Sequence, residues 1–362
     1  MTELLSHDIL PGYEFRHIKY ESRPVLDDKG KPVDGLHQTW ISLNNEKQLN
    51  SYTTEAVKEV ILAFRRASCD RQTSNVVFTA VGDRSFCTGG NTEEYATYYS
   101  NRPLEYLQYM RLFNDMVTNI LLCDKPVINR VNGMRIGGGQ EIGMACDFSI
   151  AADTARFGQA GPKHGSAPDG GSTDFLHLFV GITRAMASCT LCEHWSAHAA
   201  VDIGLVNKIV PVLKAPDGRF IGNPMVSLER FDAWGNPAYG AFKSGTEREA
   251  AKAAMAGCTT DLSLLDAEVE AMAYKLSLTM RDCLAKTLES VRKKKLEHWQ
   301  RNGESNRSWL ALNMMTEARA GFRAFNEGPR HQREVDFLEL RRALAEAHPW
   351  DDALLARVMP KA

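Results

Sequence analysis

The sequence predicts an α/β fold that passes into an almost wholly helical C-terminal region. Up to about residue 211, short apolar or alternating segments typical of strands are interleaved with segments of helical periodicity. From about residue 246 to residue 344 the helical pattern is nearly continuous. Residues 214–245 are rich in glycine, proline, asparagine and aromatic residues and show little periodicity, which predicts a surface excursion.

The first elements of this fold follow from local signals. Residues 1–36 predict an irregular lead, with turn signals such as DDKG. The alternation in HQTWISL, residues 37–43, predicts a strand. A helix is then expected to begin at Thr53 or Thr54, because a threonine side chain can accept from free amides at a helix start, and to end near Ala67.

Strands and helices continue to alternate along the rest of the mixed part of the chain. We expect, in order, a strand at 74–82, a glycine loop at 85–91, a helix from about Leu104 to Leu122, a strand at 125–131, an apolar helix at 141–148, a strand at 149–152, a loop at 158–172, a helical stretch to about residue 193, and a helix and strand within 196–211. No fixed-period repeat is visible in the chain.

Composition and charge exclude several classes of function. The 362 residues carry a formal net charge of −2, which offers no broad attraction to nucleic acid or to an anionic membrane. The run RKKKLEHW, residues 292–299, is interpreted as a solvated helix face. No apolar stretch approaches the roughly 18 residues needed to span a bilayer, and the N-terminus lacks the pattern of a secretory signal. We therefore expect a cytoplasmic protein with no nucleic-acid and no membrane partner.

The cysteines favour reduced thiols over a disulfide framework, because all eight are scattered along a large chain. Cys189 and Cys192 form a C-x-x-C motif followed by His194, but zinc binding would need a second ligand pair at suitable spacing, and none is evident. Haem attachment would need a histidine directly after the second cysteine, where Glu193 stands. Helix packing is the preferred role of this motif, and no metal site is predicted.

Two glycine-rich loops carry the strongest chemical signal. SFCTGGN, residues 85–91, follows a predicted strand, and NGMRIGGGQE, residues 132–141, joins a predicted strand to an apolar helix. Glycine lets a backbone approach a ligand closely, and the first amides of a helix have no internal acceptor. Two such amides directed at one point would form an oxyanion hole. Taken alone, the GGG triplet favours tight helix–strand packing, and its spacing matches neither a dinucleotide site nor a P-loop.

These loops resemble the two signature regions of the crotonase, or enoyl-CoA hydratase/isomerase, family. The resemblance runs through SFCTGGN, NGMRIGGGQEIGMACDFSIAADTARFGQ and SAHAAVDIGLVNKIVP, and more loosely through ARAGFRAFNEG. It implies a superhelix of stacked ββα turns, an acyl-CoA thioester as ligand, and a C-terminal helical region used to assemble a homotrimer or homohexamer. The chain is accordingly divided into a lead at 1–36, a crotonase core at 37–213, the excursion at 214–245 and a helical oligomerisation region at 246–362.

The resemblance also assigns residues of the site. It implies that the thioester oxygen lies between the backbone amides of Gly90 and Gly138. Glu141 falls on the first of two glutamates used by the family's hydratases. The second glutamate is absent, because the hydratase pattern F-G-Q-P-E is replaced here by FGQAG at 157–161. Ordinary two-glutamate hydration is therefore disfavoured.

The loop after this departure is similar to one branch of the family. GPKHGSAPDGG, residues 161–171, resembles the G-P-K-x-G-S-x-D-G-G of the naphthoate-synthase branch, with one extra residue before Asp169. That branch makes or breaks rings by Claisen-type chemistry beside a thioester, and its relatives include ring-opening hydrolases of ketocycloalkyl-CoA esters. The resemblance implies hydrolytic ring opening through thioester enolates, which needs no metal or redox cofactor; coenzyme A would be part of the substrate.

Three side chains near these loops are candidates for acid–base and polarising roles. We expect Glu141 to help activate water and Asp169 to transfer protons around ring opening. Each has a structural alternative, since Glu141 could complement a helix dipole and Asp169 could be a turn residue before a glycine. His164 could polarise a ketone or orient a water, or could simply pack in its loop.

Contacts to substrate or coenzyme A are expected around the first glycine loop. The resemblance places Asn45 and Lys47 near the pantetheine and adenine side of the ligand, although an exposed lysine is the ordinary alternative. The other candidates flank the first amide: Cys87, Thr88, Gly89 and Asn91. Cys87 has no evident base partner, so packing or ligand contact is preferred to a nucleophilic role.

Four other interpretations remain open. A naphthoate-type synthase would close a ring, a simple hydratase would add one water, and a 2-ketocyclohexanecarboxyl-CoA hydrolase would open a saturated ring. A crotonase fold can also be reused as a scaffold or an RNA-binding protein. Glu141 modestly favours water chemistry, and the near-neutral charge and both glycine loops argue against the scaffold.

Overall fold

The computed structural model describes residues 4–361. The core of the protein contains two β-sheets. The larger sheet consists, in spatial order, of β1 (Ile18–Leu26), β2 (Pro32–Leu43), β3 (Thr73–Ala80), β5 (Val127–Val131), β7 (Phe148–Ala152) and β10 (Lys208–Val210). The smaller sheet consists of β4 (Ser85–Cys87), β6 (Met134–Ile136), β8 (Arg156–Gly158) and β9 (Trp195–Ser196). The pairs β1–β2 and β8–β9 are antiparallel, and the other neighbours are parallel.

Helices connect these strands and form most of the chain after residue 245. They are α1 (Thr54–Cys69), α2 (Thr92–Glu94), α3 (Pro103–Leu121), α4 (Gly138–Ala145), α5 (Ser172–Val180), α6 (Ile182–Leu191), α7 (Ala197–Asp202), α8 (Gly245–Met255), α9 (Ser263–Ser277), α10 (Arg281–Asn313), α11 (Glu317–Glu327), α12 (Phe337–Ala345) and α13 (Asp352–Val358). A small third sheet pairs β11 (Leu213–Lys214) with β12 (Phe220–Ile221) and β13 (Thr259–Thr260). No helix within residues 4–361 combines the length and the apolar character needed to cross a bilayer.

Consecutive strands alternate between the two sheets, which produces the expected stack of ββα turns. The pairs β3–β4, β5–β6 and β7–β8 each place one strand in the larger sheet and the next in the smaller sheet. Because β4, β6 and β8 run parallel, their carboxyl ends lie at one edge of the smaller sheet. The loops that leave this edge begin at Thr88, Gly137 and Gln159, and they contain the motifs singled out in the sequence.

Helix α1 shows how the sequence builds the core that supports this edge. Thr53 caps the helix by accepting a hydrogen bond from the Ala56 amide, as its position predicted. The apolar face of the helix places Phe64 edge-on to Phe78 of β3, with ring centroids 5.3 Å apart, and Phe78 is edge-on to Phe86 of β4 at 5.3 Å. Each such pair adds about 1 kcal/mol beyond the burial of its area. The contacts between these rings pack helix α1 against the larger sheet and the larger sheet against the smaller sheet.

The expectation of an irregular lead at 1–36 is wrong for its second half. Residues 18–26 form β1, DDKG makes the turn, and β2 already begins at Pro32. The sequence obscured β1 because it is an edge strand with several polar residues and with Pro24, which an edge strand tolerates. Pairing with β2, rather than a strong local pattern, fixes it as a strand. Residues 1–3 of the lead lie outside the described residues.

The prediction that the basic run at 292–299 is a solvated helix face is wrong for two of its cations. Arg292 is buried and binds the Asp147 carboxylate, and Lys295 donates to the carbonyls at the end of α4. Lys293 and Lys294 are exposed. The run therefore contributes two of its cations to the packing of α10 against the core, which charge alone could not reveal.

Candidate active site

The two glycine loops are in contact because their strands are neighbours. Strand β4 pairs with β6, so the chain leaving Cys87 and the chain leaving Ile136 run side by side. A methyl carbon added to Gly89 would lie 3.1 Å from the amide nitrogen of Gly138, a contact tight enough to force that neighbour to shift. This proximity is what an oxyanion hole formed from both loops requires.

Within residues 4–361, neither the Gly90 N–H nor the Gly138 N–H has a backbone acceptor. Around Gly90, the bridge to Tyr52 uses the Gly89 carbonyl and the Asn91 amide, so it does not consume the Gly90 N–H. Gly138 is the first residue of α4, so its N–H has no acceptor within the helix. The residue before it, Gly137, has φ 58°, a backbone conformation that favours glycine.

Gly90 and Gly138 line one cavity of about 110 Å³. Aromatic and large apolar side chains form part of its wall: Tyr52, Tyr95, Tyr106, Tyr109, Met110, Phe113, Leu310 and Phe322. Its polar side chains include Glu141, Gln159, His164 and Ser166. A pocket that combines apolar side chains with placed polar groups is the usual form of a small-molecule site.

Glu141 lines this cavity, and its carboxyl group is bound by backbone amides that follow strand β8. Its side chain is 5% exposed, and its Oε1 accepts from the Gly170 amide at 3.0 Å and the Ser172 amide at 3.3 Å. Burial raises the pKa of Glu141 to about 8, the two amides oppose that rise, and the nearby Asp169 carboxylate adds to it. A carboxyl group in this state can change protonation near neutral pH, as a general base must.

The other two candidates for acid–base roles occupy different places. Asp169 lies beside the cavity and not in its wall; its Oδ1 accepts from the Thr173 hydroxyl at 2.8 Å, and burial raises its pKa. His164 lines the cavity, packs edge-on to Phe325 with centroids 4.9 Å apart, and has a buried Nδ1 without a partner in the described structure. Burial lowers the pKa of His164, so its ring is neutral at physiological pH.

The candidates for ligand contact divide into two groups. Thr88 and Gly89 line the cavity. Cys87 is buried behind the first loop; burial raises its pKa to about 12, which leaves the thiol protonated. Asn91 caps α2 through the Glu94 amide. These two side chains lie outside the cavity wall and serve the local structure.

The two candidates for coenzyme A contact lie on the loop after β2. The Asn45 side chain donates to the Ser51 carbonyl at 2.9 Å and to the Gln48 side chain at 3.0 Å, which shapes the loop. Lys47 is exposed. The loop joins the site through Gln48, which accepts from Asn91 at 2.7 Å. It therefore borders the first glycine loop, with Lys47 facing solvent.

The sequence did not reveal the tyrosines of the wall. Tyr106 and Tyr109 are three residues apart on α3, a spacing that by itself predicts only one packed helix face. Another group that was missed is Asp174 of α5, which is buried, bonds Asn302 and has its pKa raised to about 7 by burial. Neither group belongs to a local motif.

The cysteines form no disulfide and no metal cluster among the described residues. All eight cysteines are free, and Cys189 and Cys192 pack at the end of α6. Within residues 4–361 no cluster of three or more histidine, cysteine, aspartate or glutamate side chains could hold a metal ion.

Comparison with known proteins places the chain in a family. The family model for enoyl-CoA hydratase/isomerase matches residues 39–280. A 6-oxocyclohex-1-ene-1-carbonyl-CoA hydrolase from Thauera aromatica is 57% identical, with 100% of this chain and 96% of the relative aligned. A protein of the same name from Geobacter metallireducens is 56% identical over 95% of this chain and 91% of its own.

Among solved structures, an enoyl-CoA hydratase/isomerase from Mycobacterium paratuberculosis superimposes with a TM-score of 0.64 at 17% identity, covering 85% of this chain and 98% of the other. This likeness confirms the predicted crotonase-like ββα superhelix. The family match and the relatives agree with the geometry of the loops. This chain therefore belongs to the enoyl-CoA hydratase/isomerase family.

Proposed function

We propose that this protein is a ring-opening acyl-CoA hydrolase that converts 6-oxocyclohex-1-ene-1-carbonyl-CoA and two waters to 3-hydroxypimeloyl-CoA. The observation that carries the proposal is the contact between the Gly90 and Gly138 loops in a cavity that also contains the buried Glu141 carboxyl. The two relatives with this substrate in their names, more than half identical over nearly the whole chain, support the choice of thioester.

The first step is addition of water to the conjugated double bond. As the water oxygen bonds to the β-carbon, an electron pair moves through the α-carbon to the thioester oxygen and forms an enolate. The amides of Gly90 and Gly138 would stabilise that oxygen, and one such donor is worth roughly 3 kcal/mol in other enzymes. Protonation at the α-carbon then gives a hydroxylated ring whose ketone is β to the thioester.

The second step is hydrolysis of a carbon–carbon bond. A second water attacks the ring ketone, and the bond between the ketone carbon and the α-carbon breaks. The departing electron pair again becomes the thioester enolate. One oxyanion hole therefore serves both steps, which is why a hydratase fold suits a ring-opening reaction.

Both steps need a group that takes and returns protons. Glu141 is the carboxyl in the cavity wall, and we assign to it the activation of water. Asp169 is next to Gly170, whose amide binds Glu141, and its own side chain is bonded to Thr173. We assign to Asp169 proton transfer around ring opening, by exchange with Glu141. His164 is placed to orient a water or to polarise the ketone.

The proposal extends to the location, assembly and pathway of the enzyme. We propose a cytoplasmic homotrimer or homohexamer that acts in the anaerobic degradation of aromatic acids through benzoyl-CoA. Apolar side chains left exposed on α10 and α12, among them Val291, Leu312 and Leu338, support assembly through the helical region.

Mass spectrometry in oxygen-18 water tests the reaction. Incubation with 6-oxocyclohex-1-ene-1-carbonyl-CoA is expected to give a product heavier by two waters, with one oxygen-18 in a hydroxyl group and one in a new carboxylate. A simple hydratase would add a single water and leave the ring closed. A ring-closing synthase needs an open-chain thioester and would leave this cyclic one unchanged, so no conversion at all would contradict the proposal.

A further inference from the structure

Two tyrosine hydroxyls lie against the two glycines of the oxyanion hole. A methyl carbon added to Gly138 would lie 1.9 Å from Oη of Tyr52, and one added to Gly90 would lie 1.6 Å from Oη of Tyr95. Both tyrosines line the cavity. Any larger residue at either glycine would collide with a phenol, so glycine here makes room for a hydroxyl beside each amide.

The two hydroxyls differ in what they bind. Tyr95 is paired with Tyr109, with 2.6 Å between their hydroxyl oxygens. The Tyr52 hydroxyl forms no hydrogen bond within residues 4–361, although its residue is only 3% exposed. Because Tyr52 lines the cavity, a hydroxyl there without a protein partner can bind a ligand or a water molecule. Burial raises the pKa of Tyr52 well above its usual value, so the hydroxyl remains a donor.

We propose that Tyr52 is a catalytic residue that donates a hydrogen bond to the ring ketone of the substrate. The inference rests on the proposed function. The ketone carbon and the thioester carbonyl carbon are bonded to the same α-carbon, so their two oxygens can lie side by side. When the thioester oxygen is bound at Gly138, the ketone oxygen falls beside the adjacent Tyr52 hydroxyl.

Ring opening needs this second donor because it creates charge on a second oxygen. The water oxygen bonds to the ketone carbon, its proton passes to Glu141, and the π pair of the carbonyl moves to the ketone oxygen, which Tyr52 stabilises. That pair then re-forms the carbonyl as the bond to the α-carbon breaks. The released pair becomes the thioester enolate held by Gly90 and Gly138. Glu141 returns its proton to the α-carbon, and the new carboxylic acid releases its own to solvent.

The variant Tyr52→Phe removes the hydroxyl and keeps the ring that packs against Phe113. With 6-oxocyclohex-1-ene-1-carbonyl-CoA, we expect ring opening to fall by about 10²- to 10³-fold, as for loss of one oxyanion donor. The singly hydrated, closed ring should then accumulate. Liquid chromatography with mass spectrometry follows both species over time.

The matched control is Tyr99→Phe. Tyr99 belongs to the same buried aromatic group, but its hydroxyl bonds Thr54 at 2.7 Å, outside the cavity wall. This variant should open the ring at the wild-type rate. Ring opening by Tyr52→Phe at the wild-type rate would overturn the inference, and so would an equal loss of hydration and ring opening, since that is a structural effect. Wild-type enzyme that leaves the thioester unchanged would instead overturn the proposed function, on which the inference depends.

Discussion

Glu141 is buried, and the role proposed for it requires its carboxyl group to ionise. Its pKa of about 8 reflects burial first, and the Gly170 and Ser172 amides keep the value from rising further. The burial that raises this pKa also makes the ionised form of Glu141 unfavourable in the folded protein.

A pH profile tests Glu141 as the base. For the wild-type enzyme, kcat/KM should rise about tenfold per pH unit below pH 8 and level off above it, because only the carboxylate accepts a proton. Glu141→Gln should lower turnover by about 10²- to 10⁴-fold. Steady-state kinetics from pH 5 to 9.5 would measure both. A profile that is flat over this range would contradict the role.

Thermal unfolding of the same variant tests the pKa without reference to activity. The folded pKa of about 8 lies above the usual 4.5, so the folded state binds more protons between these values. Stability should therefore fall as pH rises from about 4.5 to about 8. Glu141→Gln should lose this part of the pH dependence and become more stable relative to wild type at pH 8. Parallel curves for the two proteins would show that Glu141 ionises normally.

Asp169 should affect catalysis less directly than Glu141. It contacts Thr173 rather than the cavity, so Asp169→Asn should retain thioester binding while turnover falls by about tenfold or more. Equilibrium binding of an acyl-CoA and single-turnover rates separate the two effects. A binding loss as large as the rate loss would identify Asp169 as a structural turn residue.

At the scale of elements, helix α4, which begins with Gly138, is bound by buried or partly buried side chains near both of its ends. Near its start, Gln140 accepts from the buried Arg135 at 2.8 Å. At its end, Lys295 of α10 donates to the carbonyls of Met144 and Cys146, at 3.0 and 2.9 Å. A cation at a helix C-terminus also complements the helix dipole.

Lys295→Met tests this attachment. Loss of charged hydrogen bonds to the helix end should lower the free energy of unfolding by about 2–3 kcal/mol and reduce turnover. The neighbouring Lys294 is exposed, so Lys294→Met should leave both unchanged. Urea unfolding and steady-state kinetics measure the comparison. If the two variants had the same free energy of unfolding and the same turnover, Lys295 would not stabilise α4.

The edge strand β1 depends on another attachment between elements. Glu59 of α1 is buried and accepts from the amides of Arg16, His17 and Ile18 and from the Tyr13 hydroxyl. Glu59→Ala should lower the free energy of unfolding by about 3 kcal/mol, because several donors lose one charged acceptor. Glu55→Ala, at an exposed site on the same helix, is the control. A similar urea midpoint for both variants would contradict this.

At the scale of the whole molecule, the helical region contributes side chains to the cavity and also exposes apolar side chains to solvent. Leu310 and Phe322 line the cavity although they lie 172 and 184 residues after Gly138 in the chain. The same region leaves Val291, Leu312 and Leu338 exposed. Exposed apolar side chains can mark a site of association, so the proposed assembly is expected to bury some of them.

Sedimentation equilibrium tests the proposed assembly. The mass is expected to be three or six times that of one chain at micromolar concentration. Leu312→Asp should shift the distribution toward monomer, because a buried charge at an apolar contact is costly. A monomeric wild-type protein with full activity would contradict the assembly, and would show that one chain completes the site.

Local patterns in the chain were sufficient for several elements and for the family. The Thr53 cap, the apolar strand around Val77 and the glycine loops at 85–91 and 132–141 are each specified within a window of about ten residues, and each is found where expected. They are predictable because capping, burial of a strand and backbone freedom at glycine depend on near neighbours.

Other features required the folded chain, because they depend on residues distant in sequence. Strand β1 exists through its pairing with β2, and Lys295 became a helix cap only when α10 packed against α4. The Tyr52 hydroxyl meets Gly138 across 86 positions of sequence, a contact created by parallel pairing of strands in two sheets. Burial then set the proton affinity of Glu141, since desolvation belongs to the packed protein and to no motif.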